Sequence, residues 1–218
     1  MDRGKLPIVG LVGGIASGKS MIADQFRRAG AAVISADQLA HEVLRYDEVK
    51  RAARERWGDG IFGPDGEVDR SALAKIVFAP PPDGPRELTY LEQLIHPDVG
   101  RLVQRRLAEL QAGGPAALQT GSPVTAVVLD VPLLVESGWH EFCDRIVYVD
   151  APLPERLSRA LARGWSQQDF ERREAAQHSL AQKRAAADLV IDNSGSIESA
   201  QSQVAQFCHR LFEQFPRN

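Results

Sequence analysis

Cysteine is scarce: Cys143 and Cys208 are the only two in 218 residues, and they are 65 positions apart. That fits neither the spacing of a thiolate metal site nor the paired framework of a secreted disulfide domain. Both thiols are expected to be buried and structural, in a reducing cytoplasmic setting. No run of about 18 apolar residues occurs, so a membrane-spanning helix is not expected. The stretch Met1-Asp2-Arg3-Gly4-Lys5 leads directly into a strand pattern without an apolar signal region. An excess of one charge is also missing, with 26 Lys and Arg against 29 Asp and Glu for a net charge of -3. Nothing global therefore attracts a nucleic-acid polyanion or a membrane surface, and any basic site must be local. What remains is 44% hydrophobic and 25% charged, the profile of a globular chain with one substantial core and room for a small inserted domain.

Within that chain, Gly13-Gly14-Ile15-Ala16-Ser17-Gly18-Lys19-Ser20 follows the apolar run Ile8-Val9-Gly10-Leu11-Val12. It leads into a helical pattern with Ile22, Phe26 and Ala29 on one face. A G-x-x-x-x-G-K-[ST] loop between strand and helix is a phosphate-binding P-loop, because its backbone N–H groups point inward and the positive end of the helix dipole faces the same cavity. Gly14, Ile15, Ala16, Ser17, Gly18, Lys19, Ser20 and Met21 form the candidate nucleotide-binding set. Lys19 is expected to reach the β- and γ-phosphates, and Ser20 to ligate Mg²⁺. The plain alternative is an ordinary glycine turn. The loop has no Gly-x-Gly pair, which removes a dinucleotide fingerprint, and no Asn-Lys-x-Asp exists to read guanine. Asp192-Asn193-Ser194-Gly195 matches the short D-x-x-G pattern of GTPase switches, but it follows the last strand and reads as coincidence.

Further along, Ala32-Val33-Ile34 reads as a second strand, and Asp37 lies just past its carboxyl end. There it is either a helix N-cap or a group in the ligand crevice, which in a parallel α/β sheet lies outside the strand ends. From His41 to Leu110 the pattern is helical. Asp69 caps one helix, the proline cluster 80–85 ends it, and Pro97 is expected to start a new one. Ala126-Val127-Val128-Leu129-Asp130 is a strand ending in an acid, which makes Asp130 a candidate for the magnesium shell or a loop cap. Two more strands follow, at 144–150 and 188–191. Between them Arg156, Arg159 and Arg163 are spaced to share one helical face, followed by Arg172, Arg173, Lys183 and Arg184. Singly these are solvated charges; together they suggest a lid that brings guanidiniums onto a transferring phosphate.

The chain resembles the dephospho-coenzyme A kinase family. The resemblance rests on Gly10 to Ser20, Ala36-Asp37-Gln38-Leu39-Ala40-His41, Asp69-Arg70 with Val77-Phe78, and Leu91-Glu92 with His96-Pro97. It continues in Val131-Pro132-Leu133-Leu134-Val135-Glu136 with Gly138, and in Asp192 to Gly195. It implies an α/β P-loop NTPase core with a five-stranded parallel sheet, a helical insertion for the coenzyme A moiety and an arginine-rich helical lid. The expected boundaries are 1–40, 123–155 and 186–218 for the core, 41–122 for the acceptor domain, and 156–185 for the lid. The implied reaction is transfer of the ATP γ-phosphoryl group to the ribose 3′-hydroxyl of dephospho-coenzyme A.

By the same resemblance, Asp37 is the carboxylate at the acceptor hydroxyl and Arg163 stands at the lid entrance. Arg173 and Gln177 belong to the lid, and Asn193 to Gly195 lie against adenine. Asp37, Lys19 and Arg163 are thus the candidate catalytic residues. Ser35 stands where the family usually has Asp, and Val12 where Thr is common, while the lid entrance is one residue short. The alternatives are another nucleotide or small-molecule P-loop kinase, or an ATP-binding regulatory switch that phosphorylates nothing. Oligomeric state stays open, with a monomer favoured.

Overall fold

A computed structural model describes residues 5–113, 124–131, 134–135, 138–175 and 179–215. Its sheet contains five parallel strands: β1 (Ile8–Gly13), β2 (Ala32–Ser35), β3 (Val127–Asp130), β4 (Arg145–Asp150) and β5 (Leu189–Asp192). They lie in the order β2-β3-β1-β4-β5. All six residues of β1 are buried, as a central strand covered on both faces requires. Register pairs Leu11 with Asp130, Ser35 with Asp130, and Gly13 with Val149. The carboxyl end of β3 is therefore beside β1 and β2 at the edge from which the glycine loop departs.

One face of the sheet is closed by α1 (Lys19–Arg28) and α9 (Ile197–Gln214). Val9, Leu11, Val128, Val147 and Ile191 pack there with Phe26, Val204 and Phe207. The rings of Phe26 and Phe207 meet edge to face at 5.8 Å, a favoured aromatic geometry. Glycine is required at position 10, because a Cβ there would lie 2.8 Å from Cys143 Sγ and 3.0 Å from Leu134 Cδ1. Cys208 is buried as expected, whereas Cys143 is half-buried; desolvation pushes the Cys143 thiol up to about 12 and the Cys208 thiol up to about 11, which leaves both as packing groups rather than nucleophiles.

The chain divides into two compact units, Met1–Ser35 with Arg106–Asn218, and Ala36–Arg105. The second unit holds α2 (Ala36–Val43), α3 (Asp47–Trp57), α4 (Arg70–Val77) and most of α5 (Asp83–Gln111). Asp69 caps α4, accepting from the N–H groups of Ser71 at 2.8 Å and Ala72 at 3.2 Å. The expected break at Pro97 is absent, and α5 runs continuously through it. The proline removes one backbone hydrogen bond, but Ile95, Val99, Leu102 and Val103 continue a single buried stripe across it, and packing carries the helix through. Glu87, buried on α5, accepts from Arg56 Nε and Nη2 at 2.8 Å each, from Trp57 Nε1 at 2.9 Å and from Arg86 Nε at 3.0 Å. Among the described residues no helix is long and apolar enough to cross a membrane.

Candidate active site

The loop from β1 to α1 is built on two left-handed residues, Ala16 at φ 57° and Gly18 at φ 94°. Such reversals turn successive N–H groups toward one concavity, where they can bind an anion. Ser17 N–H donates to Gly14 O at 3.2 Å and closes the turn. The Lys19 ammonium donates to the carbonyls of Gly13 and Gly14, each at 3.3 Å, so its charge is held over the loop. A Cβ on Gly13 would come within 2.6 Å of Val149 O, which explains the glycine where β1 passes β4. Ser20 is the second residue of α1 and is exposed.

The loop is fastened from behind by three side chains far away in sequence. Asn193 Nδ2 donates to Ser17 O at 2.6 Å, and Arg159 Nη1 donates to the same carbonyl at 3.1 Å. Arg159 Nη2 also donates to Asn193 O at 2.8 Å. Asn193 is itself placed by its N–H on Asp150 O at 2.8 Å, at the ends of β4 and β5. Arg156, on α6 (Leu153–Ala162), donates through Nη1 to Ile15 O at 3.3 Å. The Ser17 hydroxyl is buried and has no hydrogen-bond partner, an unusual state for a buried polar group.

Thus Gly14 to Lys19 and Asn193 come together at one end of the sheet, with Ser20 and Met21 opening α1. Gly195 sits in the exposed turn before α9. Asp130 is half-buried at the end of β3, opposite Leu11 and Ser35. Ser20 and Asp130 offer oxygen donors of the kind a magnesium ion takes alongside phosphate oxygens and water. Among the described residues no cluster of three or more His, Cys, Asp or Glu could hold a metal. Asp37 is the second residue of α2, exposed, two positions beyond the end of β2.

Of the three arginines expected on one face of α6, only two reach the loop. Arg163 caps the carboxyl end of the helix and is exposed. Arg173, on α7 (Gln167–Ala175), stacks over the Trp165 ring at 4.1 Å, and burial lowers its pKa. Gln177 lies outside the described residues. Beyond α7, Arg184 on α8 (Leu180–Ala185) pairs with Asp150.

A sequence model of the dephospho-CoA kinase family matches residues 7–199. The chain belongs to the dephospho-CoA kinase family. A dephospho-CoA kinase of Symbiobacterium thermophilum is 42% identical over 201 residues, which cover 90% of this chain and 78% of that protein. One from Carboxydothermus hydrogenoformans is 39% identical over 202 residues, covering 91% of each. Among structures, TT1252 from Thermus thermophilus superposes with a TM-score of 0.70 at 32% identity, covering 95% of this chain and 98% of its own.

The protein is therefore a kinase with a P-loop nucleotide-binding core, and its ATP-binding loop carries two supports that sequence reasoning missed. Singly, Arg156 and Arg159 read as solvated charges and, with their neighbours, as lid groups that reach a transferring phosphate; instead Arg156 is buried and both hold loop carbonyls. Their spacing on the helix after β4, the strand beside β1, was the available signal.

Proposed function

We propose that this kinase transfers the γ-phosphoryl group of ATP to the ribose 3′-hydroxyl of dephospho-CoA, giving CoA and ADP. The observation that carries the reading is the phosphate loop itself, with Lys19 across the Gly13 and Gly14 carbonyls and Asn193 and Arg159 on Ser17 O, in a chain of this family. The loop amides and Lys19 bind and orient the triphosphate, and this preorganised charge lowers the barrier without reorganisation during the reaction.

Ser20 and Asp130 would hold Mg²⁺, which when bound neutralises phosphate charge. Asp37 orients the acceptor hydroxyl in line with phosphorus and accepts its proton. Helices α7 and α8 serve as the lid, with Arg163 and Arg173 as its cationic groups. The near balance of Lys and Arg with Asp and Glu supports a protein with no nucleic-acid or membrane partner, and the two free cysteines support a cytoplasmic one; it is taken to work as a monomer.

Purified protein supplied with ATP and Mg²⁺ should release ADP only when dephospho-CoA is present, with stoichiometric formation of CoA. ADP release indifferent to dephospho-CoA would overturn the reading and favour a nucleotide switch.

A further inference from the structure

Arg156 is an arginine in an unusual place. Its side chain is 4% exposed, whereas arginines are almost never buried unless paired. Nε donates to Ala151 O at 3.2 Å, and Nη1 donates both to Ile15 O at 3.3 Å and to Glu174 Oε1 at 2.6 Å. The guanidinium lies 5.5 Å from the Phe170 ring centroid. A Cβ on Gly14 would be 2.7 Å from Nη1 and 3.0 Å from Leu180 Cδ2. One buried cation thus joins the phosphate loop, the segment leading into α6, and α7, while α8 rests on the adjoining glycine.

We infer that Arg156 is a positioning residue for the ATP phosphates and that Glu174 is the pin through which α7 sets the shape of the phosphate loop. Peptide planarity supplies the mechanism. In a trans peptide the carbonyl and the following N–H point in opposite directions. Holding Ile15 O against Arg156 therefore fixes the Ala16 N–H to face away from that side chain. Asn193 and Arg159 fix the Gly18 N–H in the same way through Ser17 O. Two loop amides are aimed before any phosphate arrives. Glu174 supplies the negative charge that makes burying Arg156 tolerable, since an unpaired buried charge is strongly unfavourable. A displacement of α7 would withdraw that carboxylate and release the Ile15–Ala16 peptide. The side chain is too enclosed to touch phosphate, so its effect is exerted through the backbone.

The inference rests on the nucleotide-binding reading above, and the test separates the two. A non-hydrolysable ATP analogue with Mg²⁺, and separately dephospho-CoA, are titrated into the full chain and into Glu174→Gln and Arg156→Lys, with melting curves for each. Lysine keeps a charge beside Glu174 but lacks the fork that spans Ala151 O, Ile15 O and the carboxylate.

Both variants should bind the analogue about tenfold more weakly, with KM for ATP raised in step and kcat within about threefold of the parent. Dephospho-CoA affinity should stay within about twofold. Should Glu174→Gln fail to fold, Arg156→Lys decides alone. Analogue affinity within twofold of the parent, in whichever variant folds, would overturn the inference. So would a parallel loss of both affinities with a lowered melting temperature, which marks a merely structural pair. A parent chain that bound no analogue would instead refute the nucleotide-binding reading.

Discussion

Asn193 donates its side-chain amide to the Ser17 carbonyl at 2.6 Å, tying the end of β5 to the phosphate loop across 176 positions of chain. Both residues are buried, so water cannot replace the bond easily. Arg159 reaches the same carbonyl and would keep it from being orphaned. Asn193→Ala should therefore cost about 1–2 kcal/mol of stability, the range for one buried hydrogen bond with a surviving second donor. Urea unfolding checks this, and titration with a non-hydrolysable ATP analogue should show several-fold weaker binding.

Gly18 meets the same asparagine from the other side. Its φ of 94° is left-handed, and a Cβ there would collide with Asn193 Nδ2. Backbone strain alone costs roughly 1–2 kcal/mol, and the collision must also displace Asn193. Gly18→Ala should thus be less stable than Asn193→Ala and should lose analogue binding. The double variant Gly18→Ala/Asn193→Ala should be more stable than the sum of the single losses, because the collision is gone. Denaturation curves of the three variants would expose additivity if the two groups do not touch.

Glu87 makes a pH prediction for the helical unit. Its hydrogen bonds from Arg56, and then those from Trp57 and Arg86, outweigh burial and hold its carboxyl at about 2, against an ordinary value of 4.5. A folded-state value below the unfolded one contributes stability that is fully present above the unfolded pKa and is lost as pH falls through the folded one. The loss should fall between pH 4.5 and about 2. Glu87→Gln should be less stable at neutral pH and should show a flatter acid limb in that window. Melting temperatures from pH 7 down to about 2, compared with the parent, test both parts.

What could be read from the chain followed the range of the interactions. The β1–loop–α1 unit was legible because its glycines, Lys19 and Ser20 act at fixed local spacings. The parallel strands were legible as short, consecutively apolar runs such as Val127-Val128-Leu129. Pro97 misled because its local penalty is visible in sequence, while the buried stripe of Ile95, Val99 and Leu102 that offsets it is a property of packing. The two arginine clamps were legible as a shared helical face, but what they hold was not, for the same reason. Nothing near Arg156 in sequence announces that Ile15 O and Glu174 will close around it, and a charged helical face is ordinarily solvated. Asn193 drew notice through a D-x-x-G match that read as coincidence and through the family resemblance, and neither carried information about its hold on Ser17.

Asp37 gives the test of the proposed acceptor role. It is exposed in the first turn of α2, and Asp is stabilised at a helix amino terminus by the dipole, so a purely structural carboxylate is the competing account. The two differ in what a charge-neutral replacement does. Asparagine keeps the shape of the side chain but loses the attraction to the dipole, worth about 0.3–1 kcal/mol, so a structural role predicts an Asp37→Asn enzyme slightly less stable than the parent with turnover close to it. A proton-accepting role predicts that kcat falls by about 10²–10⁴, with ATP-analogue affinity within about twofold because the phosphate loop is untouched. Normal turnover in Asp37→Asn would remove Asp37 from the chemistry and leave the acceptor hydroxyl to another group.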